Sequence, residues 1–364
     1  MADGRSPAQR RLFDPLLRLA AVLACIGVVL VGACAPVTIP AGPPMEKPHL
    51  DFGAVVPPSA DSTTDPTLGA LIAADDARLP MRAWLPKDAP PKAVILAVHG
   101  FNDYSNAFDM PGRWWAKHGI ATYAYDQRGF GGAPHTGYWA GTATMADDLA
   151  EASRLLTARY PGVPLYYLGE SMGAAVTMSA LVHGTVTPPA GVILAAPAVW
   201  SRSYMPFYQR WALWTVVHTM PWLTFTGRGL GIMPSDNIEM LRALGRDPLI
   251  IKETRTDTIK GLVDLMDEGF TATARLPGPA LILVGAHDQV VPIRPQFKAV
   301  STLPDPAHQR IAFYPNGWHM VLRDLEGATV WADVTAWIEN HDAPLPSGAD
   351  VDAMAKLKER TEHP

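Results

Sequence analysis

The apolar positions of the chain fall in short runs, each followed by a longer segment in which apolar residues recur at helical spacing. Met145, Leu149, Ala152 and Leu156, for example, fall on one face of a predicted helix. Continuous aliphatic and aromatic runs are typical of strands buried on both faces of a sheet. Such runs occupy residues 93–98, 120–125, 165–168, 191–196, 280–285 and 310–314. This alternation predicts an α/β fold with a mostly parallel central sheet and helices on both faces.

The alternation is interrupted over residues 197–276, which predicts a helical cap inserted into the sheet domain. The core then comprises residues 68–196 and 277–341. Residues 79–84 alternate between apolar and polar side chains and predict an edge strand. In parallel sheets of this kind, ligands bind at the carboxyl ends of the strands, so we expect the cap to cover that edge.

The first part of the predicted cap is rich in large aromatic residues. These residues either form ordinary core between cap and body or line a mouth that receives an apolar chain, and we favour the second interpretation. Trp200, Tyr204, Tyr208 and Trp211 are the candidate substrate-binding residues.

The N-terminal segment has the layout of a secretion signal. Arginines precede an apolar stretch, and small residues lead up to Cys34. This layout resembles the signal of a bacterial lipoprotein, in which residues 1–33 are removed and Cys34 is lipidated. The alternatives are an ordinary secretory signal or an uncleaved anchor. The resemblance implies a location in the bacterial cell envelope, on an outer-membrane anchor facing the periplasm.

Two further segments lie outside the predicted core. Residues 34–67 are rich in proline and small residues and predict a tether between anchor and domain. Residues 342–364 predict a charged, peripheral tail.

Composition limits the classes of partner. The chain has 364 residues, 48% of them hydrophobic, and a net charge of −5. It contains no run of basic residues, so nothing favours nucleic acid as a partner. Its two cysteines, Cys25 and Cys34, both lie near the N-terminus, which excludes a disulfide or a cysteine-based metal site in the predicted core.

The strongest chemical motif is Gly169-x-Ser171-x-Gly173, placed between a buried strand and a helix of small residues. A strand that turns sharply into a helix exposes the serine hydroxyl and leaves no room for side chains two positions away on either side. This arrangement predicts a nucleophile elbow, in which the N–H of Met172 lies beside the serine.

A serine needs an imidazole to accept its proton, and the imidazole needs a carboxylate. Asp288 and His319 each follow a predicted strand, and the order Ser171, Asp288, His319 is that of the α/β-hydrolase fold. Asp324 is the alternative acid. The turn after the strand at 93–98 offers Phe101 N–H as a second oxyanion donor, beside that of Met172.

Five motifs spread over about residues 75–340 follow the pattern of a known family: His99-Gly100, Asp126-x-Arg128-Gly129-x-Gly131, Gly169-x-Ser171-x-Gly173, Gly285-x-x-Asp288-x-x-Val291-Pro292 and Gly317-x-His319. In these motifs the chain resembles the cap-bearing α/β-hydrolases grouped as serine aminopeptidase-like or lysophospholipase/monoacylglycerol lipase-like proteins. After His99-Gly100, monoacylglycerol lipases usually carry a further glycine and a glutamate, where this chain has Asn102-Asp103.

The resemblance implies a serine hydrolase acting on carboxylic esters, most simply of a lysolipid or another lipid with one acyl chain. It implies catalysis by Ser171, Asp288 and His319, with no metal or organic cofactor. Two alternatives stay open: a serine aminopeptidase-like peptidase of the same fold, and a non-catalytic lipid-binding lipoprotein of the envelope.

Overall fold

A twisted nine-stranded sheet forms the centre of the described part of the protein. The computed structural model describes residues 35–52, 65–87 and 89–362. Its strands are β1 (His49–Asp51), β2 (Thr67–Ile72), β3 (Arg78–Trp84), β4 (Ala93–Val98), β5 (Ile120–Tyr125), β6 (Leu165–Glu170), β7 (Gly191–Ala195), β8 (Thr224–Phe225), β9 (Thr254–Arg255), β10 (Ala280–Gly285) and β11 (Gln309–Tyr314).

The sheet has the strand order β1-β2-β3-β5-β4-β6-β7-β10-β11. The first three pairings, from β1 to β5, are antiparallel, and the remaining five are parallel. Every residue of β4, β5, β7 and β10 is buried. The continuous apolar runs therefore do form the two-sided interior strands of a mostly parallel sheet, and the predicted α/β-hydrolase fold is confirmed.

Helices cover both faces of this sheet. Trp115 of α1 and Trp337 of α8 are fully buried against one face, whereas Leu149, Val176 and Leu357 lie in the core on the other. The helices are α1 (Asp109–Lys117), α2 (Thr142–Arg159), α3 (Met172–Val182), α4 (Phe207–Thr219), α5 (Ile238–Arg246), α6 (Thr256–Ala272), α7 (Ile293–Val300), α8 (Gly327–Glu339) and α9 (Ala353–Glu362).

The segment between β7 and β10 contains helices α4, α5 and α6 and the short β8-β9 pair. Its last helix, α6, packs directly on α3, the helix that follows Ser171. The approach is close, because a Cβ atom placed on Gly269 of α6 would lie 3.0 Å from the Cβ atom of Ala175. The inserted segment is thereby fixed over the carboxyl end of β6.

The strand predicted at residues 79–84 is present, but the prediction that it lies at the edge of the sheet was wrong. β3 lies inside the sheet, between β2 and β5. Alternation of apolar and polar residues marks a strand with two different faces, but it does not tell how many neighbours the strand has. The outermost strand on that side is β1.

The tether predicted for residues 34–67 is wrong in its described part. Strand β1 pairs with β2, and Ile39 N–H donates a 2.8 Å hydrogen bond to the carbonyl of Trp139. Leu50 and Phe52 also pack against the core. An extended, proline-rich segment can therefore add to a sheet edge through its backbone.

The charged tail predicted for residues 342–364 also packs against the domain. Ala353 and Leu357 of α9 are buried, and Phe313 N–H donates to the carbonyl of Ala349. The two buried residues are four apart and so lie on one face of the helix. The overall charged composition of the segment gave no indication of this short apolar face.

The predicted signal segment 1–33 and Cys34 lie outside the described residues. Among the helices of the described ranges, none combines the length and the apolar character that a membrane crossing requires.

Candidate active site

Ser171 lies in the sharp turn between β6 and α3. Its backbone has φ 53° and ψ −113°, a conformation that side-chain-bearing residues rarely adopt and that costs about 1–3 kcal/mol. The glycines on either side allow the turn to close. A Cβ atom on Gly169 would lie 2.4 Å from Cα of Ala174, and one on Gly173 would lie 2.0 Å from the carbonyl oxygen of Val98. The Gly-x-Ser-x-Gly spacing is therefore a steric requirement of this turn.

The structure brings together the three residues that the sequence analysis selected. Ser171 Oγ lies 3.0 Å from Nε2 of His319, and Nδ1 of His319 lies 2.9 Å from Oδ2 of Asp288. Because a carboxylate accepts hydrogen bonds, the Nδ1–H donates to Asp288 and leaves Nε2 free to accept the proton of Ser171. The three side chains form one continuous line of hydrogen bonds.

The Asp288 carboxylate has its acceptor positions filled. One oxygen accepts from the backbone N–H groups of Val290 and Val291, at 2.8 and 2.9 Å. The other accepts from His319 and, at 3.0 Å, from the side-chain amide of Gln296. Four donors fix the orientation of the carboxylate. The sequence analysis missed Gln296, since a glutamine in the first turns of a helix carries no distinctive pattern.

The charge of Asp288 also affects the protonation of His319. Burial lowers the pKa of this imidazole, but the charge of Asp288, its hydrogen bond and the charge of Glu170 together outweigh burial, so the pKa is raised above its ordinary value. His319 is only 5% exposed, so the interaction acts in a site of low polarity.

Two backbone N–H groups are available beside Ser171. The turn after β4 lies against the serine, because a Cβ atom on Gly100 would be 3.4 Å from Cβ of Ser171. Phe101 follows in this turn, and its ring packs edge-on against Phe130 at 5.5 Å. Within the described ranges, neither Phe101 N–H nor the first N–H of α3, that of Met172, donates to another group. This is the arrangement expected of an oxyanion hole.

Two other histidines and the alternative acid, Asp324, have other roles. His99 is fully buried and its Nε2 accepts from the backbone N–H of Gln127 at 2.9 Å, and burial lowers the pKa of its imidazole. His287 stacks on Trp318. Asp324, the alternative acid, accepts from Trp318 N–H and from the Ser235 hydroxyl and is not bonded to His319.

A cavity of about 480 Å³ opens above Ser171. Most of its wall is aliphatic, contributed by the inserted segment between β7 and β10 and by the loops after β10 and β11. Its lining residues are Gly100, Phe101, Asp103, Glu170, Ser171, Ala198, Trp200, Met205, Gln209, Pro234, Ile259, Leu262, Val263, Met266, Val290, Val291, His319, Met320 and Arg323.

Of the four aromatic candidates for substrate binding, only Trp200 lines this cavity. Tyr204 is 39% exposed, Tyr208 58% and Trp211 67%. Gln209 lines the cavity in their place.

The direction of α4 explains this difference. Tyr208 and Trp211 are three residues apart and share the outer face of the helix. Gln209 and Val217 share the inner face, and Val217 is buried. The composition of the segment indicated an apolar lining, but the helical phase of the aromatics decides which face they occupy.

Residues 89–326 match the family model described as "Hydrolase_4: Serine aminopeptidase, S33". The chain belongs to this family. The matched region runs from before β4 to the turn after β11, so it contains the elbow of Ser171, both partner residues and the whole inserted segment.

Monoacylglycerol lipases are similar to this chain over most of their own length. A monoacylglycerol lipase of Mycolicibacterium smegmatis is 23% identical over 283 residues, which cover 72% of this chain and 94% of that protein. A monoglyceride lipase of Rattus norvegicus is 22% identical, covering 75% and 90%. The solved structure of a monoglyceride lipase from Saccharomyces cerevisiae, in complex with a substrate analogue, superposes with a TM-score of 0.65 and 19% identity, covering 79% of this chain and 99% of that one.

The environment of His319 leads to a prediction for its titration. We expect ¹⁵N-resolved NMR to show its imidazole protonating above the ordinary value of about 6.5, because Asp288 stabilises the charged form. Asp288→Asn should lower the pKa of His319. Since the pKa is higher in the folded than in the unfolded chain, this pair stabilises the fold at low pH, and the contribution is lost as the pH rises through the folded value.

His99 is the internal control for this titration, because burial lowers the pKa of its imidazole and Asp288→Asn should leave it unchanged. A His319 signal that protonates below the ordinary value in the wild type would contradict the assignment.

Proposed function

We propose that this protein is a serine hydrolase that cleaves carboxylic esters of single-chain lipids, of the lysophospholipid or monoacylglycerol type. The observation that carries the proposal is the line of hydrogen bonds from Ser171 through His319 to Asp288 at the floor of an apolar cavity. The names of the relatives support the choice of an acyl ester as substrate.

The geometry accounts for each step of an acyl-enzyme mechanism. Ser171 Oγ attacks the ester carbonyl carbon while Nε2 of His319 accepts its proton, and Asp288 stabilises the resulting imidazolium. The imidazolium then gives this proton to the departing alcohol oxygen as the ester C–O bond breaks. In the second half, water attacks the acyl-enzyme, His319 again carries the proton, and the acid leaves with Ser171 restored.

The negative charge of the tetrahedral intermediate needs fixed donors. The N–H groups of Phe101 and Met172 supply them without rearrangement, because the turn after β4 and the start of α3 are both held by the buried sheet. Loss of one such donor in a related mechanism costs about 2.7–4 kcal/mol of transition-state stabilisation.

The cavity wall supports an acyl chain as the bound group. Met205, Leu262, Val263 and Met266 provide aliphatic surface above the serine. An alkyl chain buried there gains about 25 cal/mol per Å² of apolar area removed from water. The proposed reaction draws on no metal or organic cofactor.

The peptidase alternative is less well supported by the charges of the cavity. An aminopeptidase must hold a cationic amino terminus, and the cavity does contain Asp103 and Glu170. Both carboxylates, however, already bind Arg323, at 2.7 and 3.0 Å. The intact line of hydrogen bonds at Ser171 likewise favours an enzyme over a lipid-binding module.

Kinetics on p-nitrophenyl esters from acetate to palmitate test the proposed function. We expect the wild type to prefer medium or long acyl chains and Ser171→Ala to lose about 10⁴-fold or more in kcat, because the three residues act as a unit. Equal, negligible rates for both proteins would contradict the proposal. Activity confined to p-nitroanilides would indicate the peptidase instead.

A pair of substitutions tests which surface binds the acyl chain. Leu262→Trp fills part of the cavity, so we expect kcat/KM for long-chain esters to fall by about tenfold or more while short esters are spared. Trp211→Ala, on the outer face of α4, should leave the hydrolysis of dissolved esters unchanged. The opposite result would place the acyl chain on the outer aromatic face.

The sequence also leads us to propose that Cys34 is lipidated and anchors the enzyme in the bacterial envelope, on the periplasmic side of the outer membrane. The mature protein should then partition into Triton X-114, and Cys34→Ala should abolish this. Cys25→Ala is the matched control, because it alters the other cysteine without removing the proposed attachment site. Detergent partitioning that survives Cys34→Ala would contradict the anchor.

A further inference from the structure

A buried cluster of three charged residues lies in the wall of the cavity. Nη1 of Arg323 lies 2.7 Å from a carboxylate oxygen of Asp103, and Nη2 lies 3.0 Å from one of Glu170. Arg323 is 4% exposed, Asp103 5% and Glu170 2%. The aliphatic wall around the cluster strengthens these interactions, because it keeps water away from them.

Each member of the cluster belongs to a different part of the proposed catalytic machinery. Asp103 is in the turn that carries Phe101 N–H. Glu170 is the last residue of β6 and directly precedes Ser171. Arg323 follows His319 by four residues, in the turn after β11. The guanidinium of Arg323 therefore connects the turn that contains Phe101, the strand that ends directly before Ser171 and the loop that contains His319.

The cluster is a costly way to stabilise a core. Nε of Arg323 and Oε1 of Glu170 are buried and have no hydrogen-bond partner within the described ranges. A buried ion cluster with unsatisfied atoms is often no more stabilising than apolar residues of the same volume. Its placement at three catalytic loops therefore calls for a role in the reaction.

The cluster also contributes to the field at His319. The charges that act most strongly on this imidazole are those of Asp288, Glu170 and Arg323. Glu170 stabilises the imidazolium and Arg323 opposes it, while Asp103 offsets part of the charge of Arg323. Burial raises the pKa of Glu170, and the charge of Arg323 counteracts this rise.

We propose that Arg323 is a positioning residue, which aligns Phe101 N–H and the His319 imidazole on Ser171 by holding Asp103 and Glu170 together. Glu170 adds a second negative charge, beyond that of Asp288, that favours the imidazolium formed during acylation. This inference rests on the proposed serine hydrolase function and deepens it, since it names groups that act on the reaction without touching the substrate's reacting atoms.

The chain contains a matched control for this cluster. Arg128 is also buried and also bridges two carboxylates, those of Asp75 and Asp148, at 2.6 and 2.8 Å. It joins the β2-β3 turn to α2 and does not line the cavity. Arg128→Lys therefore measures the general cost of weakening a buried arginine bridge.

Arg323→Lys tests the alignment. Lysine keeps the charge but cannot hold two carboxylates with a planar fork. We expect Arg323→Lys and Arg128→Lys to lower the melting temperature to a similar extent. Only Arg323→Lys should lower kcat, by about 10- to 100-fold with KM little changed, because a displacement of about 1 Å at the reacting groups costs that much.

Glu170→Gln tests the charge. The amide oxygen can still accept from Arg323, so the bridge persists while the negative charge is lost. We expect the acidic limb of the kcat/KM profile to move to lower pH, because the imidazolium of His319 loses a stabilising neighbour. Arg128→Lys should leave this limb in place.

The rate at which a fluorophosphonate modifies Ser171 serves as a second readout that needs no ester turnover. If Arg323→Lys loses no more kcat or labelling rate than Arg128→Lys, and Glu170→Gln leaves the acidic limb unmoved, the cluster is merely structural and the inference is wrong. If Arg323→Lys does not fold, the pH profile and labelling rate of Glu170→Gln decide. If the wild type hydrolyses no ester, the proposed function fails, whereas the labelling rates still test the positioning role.

Discussion

The sharp turn at Ser171 is the constraint on which the rest of the site depends. The residue is held at positive φ by its surroundings: its N–H donates to the carbonyl of Ala195 on the neighbouring strand, and its own carbonyl accepts from Ala174 and Ala198. The buried parallel strands and the close approach of α3 supply the stability that maintains this conformation. Strands β6, β7, β10 and β11 are consecutive neighbours in the sheet and run parallel. Their carboxyl ends therefore lie at one edge, and Asp288 and His319, which follow β10 and β11, come close to Ser171, which follows β6.

The charged groups that act on His319 also lie at this edge of the sheet. Asp288 faces one side of the His319 imidazole with its oxygens saturated by fixed donors, and the Arg323 cluster lies in the cavity wall. The rest of the wall is mostly apolar, so these few charges act across short distances with little screening. The arrangement suits a reaction in which an imidazole gains and loses a proton beside an apolar chain.

Much of the fold and of the site could be predicted from the sequence, because both follow from local rules. Continuous apolar runs indicate strands that are buried on two faces. The glycines on either side of Ser171 indicate a turn that has no room for side chains at those positions. Ser171, Asp288 and His319 could be selected because each follows a strand. Tyr208 and Trp211 were misplaced because the composition of a segment does not give the phase of its helix.

Other features depend on tertiary contacts that the sequence does not display. Strand β1 and helix α9 pack through a few apolar residues within segments whose overall composition is that of a linker or tail. Arg323 acts through Asp103 and Glu170, which are distant along the chain, and Gln296 acts through Asp288, which precedes it by eight residues. Nothing in the pattern around either residue distinguishes it from a surface side chain.

The most direct test of the central claim is a crystal structure of the enzyme after reaction with a long-chain alkylphosphonate fluoride. The account predicts a covalent bond from phosphorus to Ser171 Oγ, with the phosphonyl oxygen about 2.7–3.1 Å from the nitrogens of Phe101 and Met172. The alkyl chain should lie along Leu262 and Met266. An adduct on another residue, or an alkyl chain on the outer aromatic face of α4, would contradict the account.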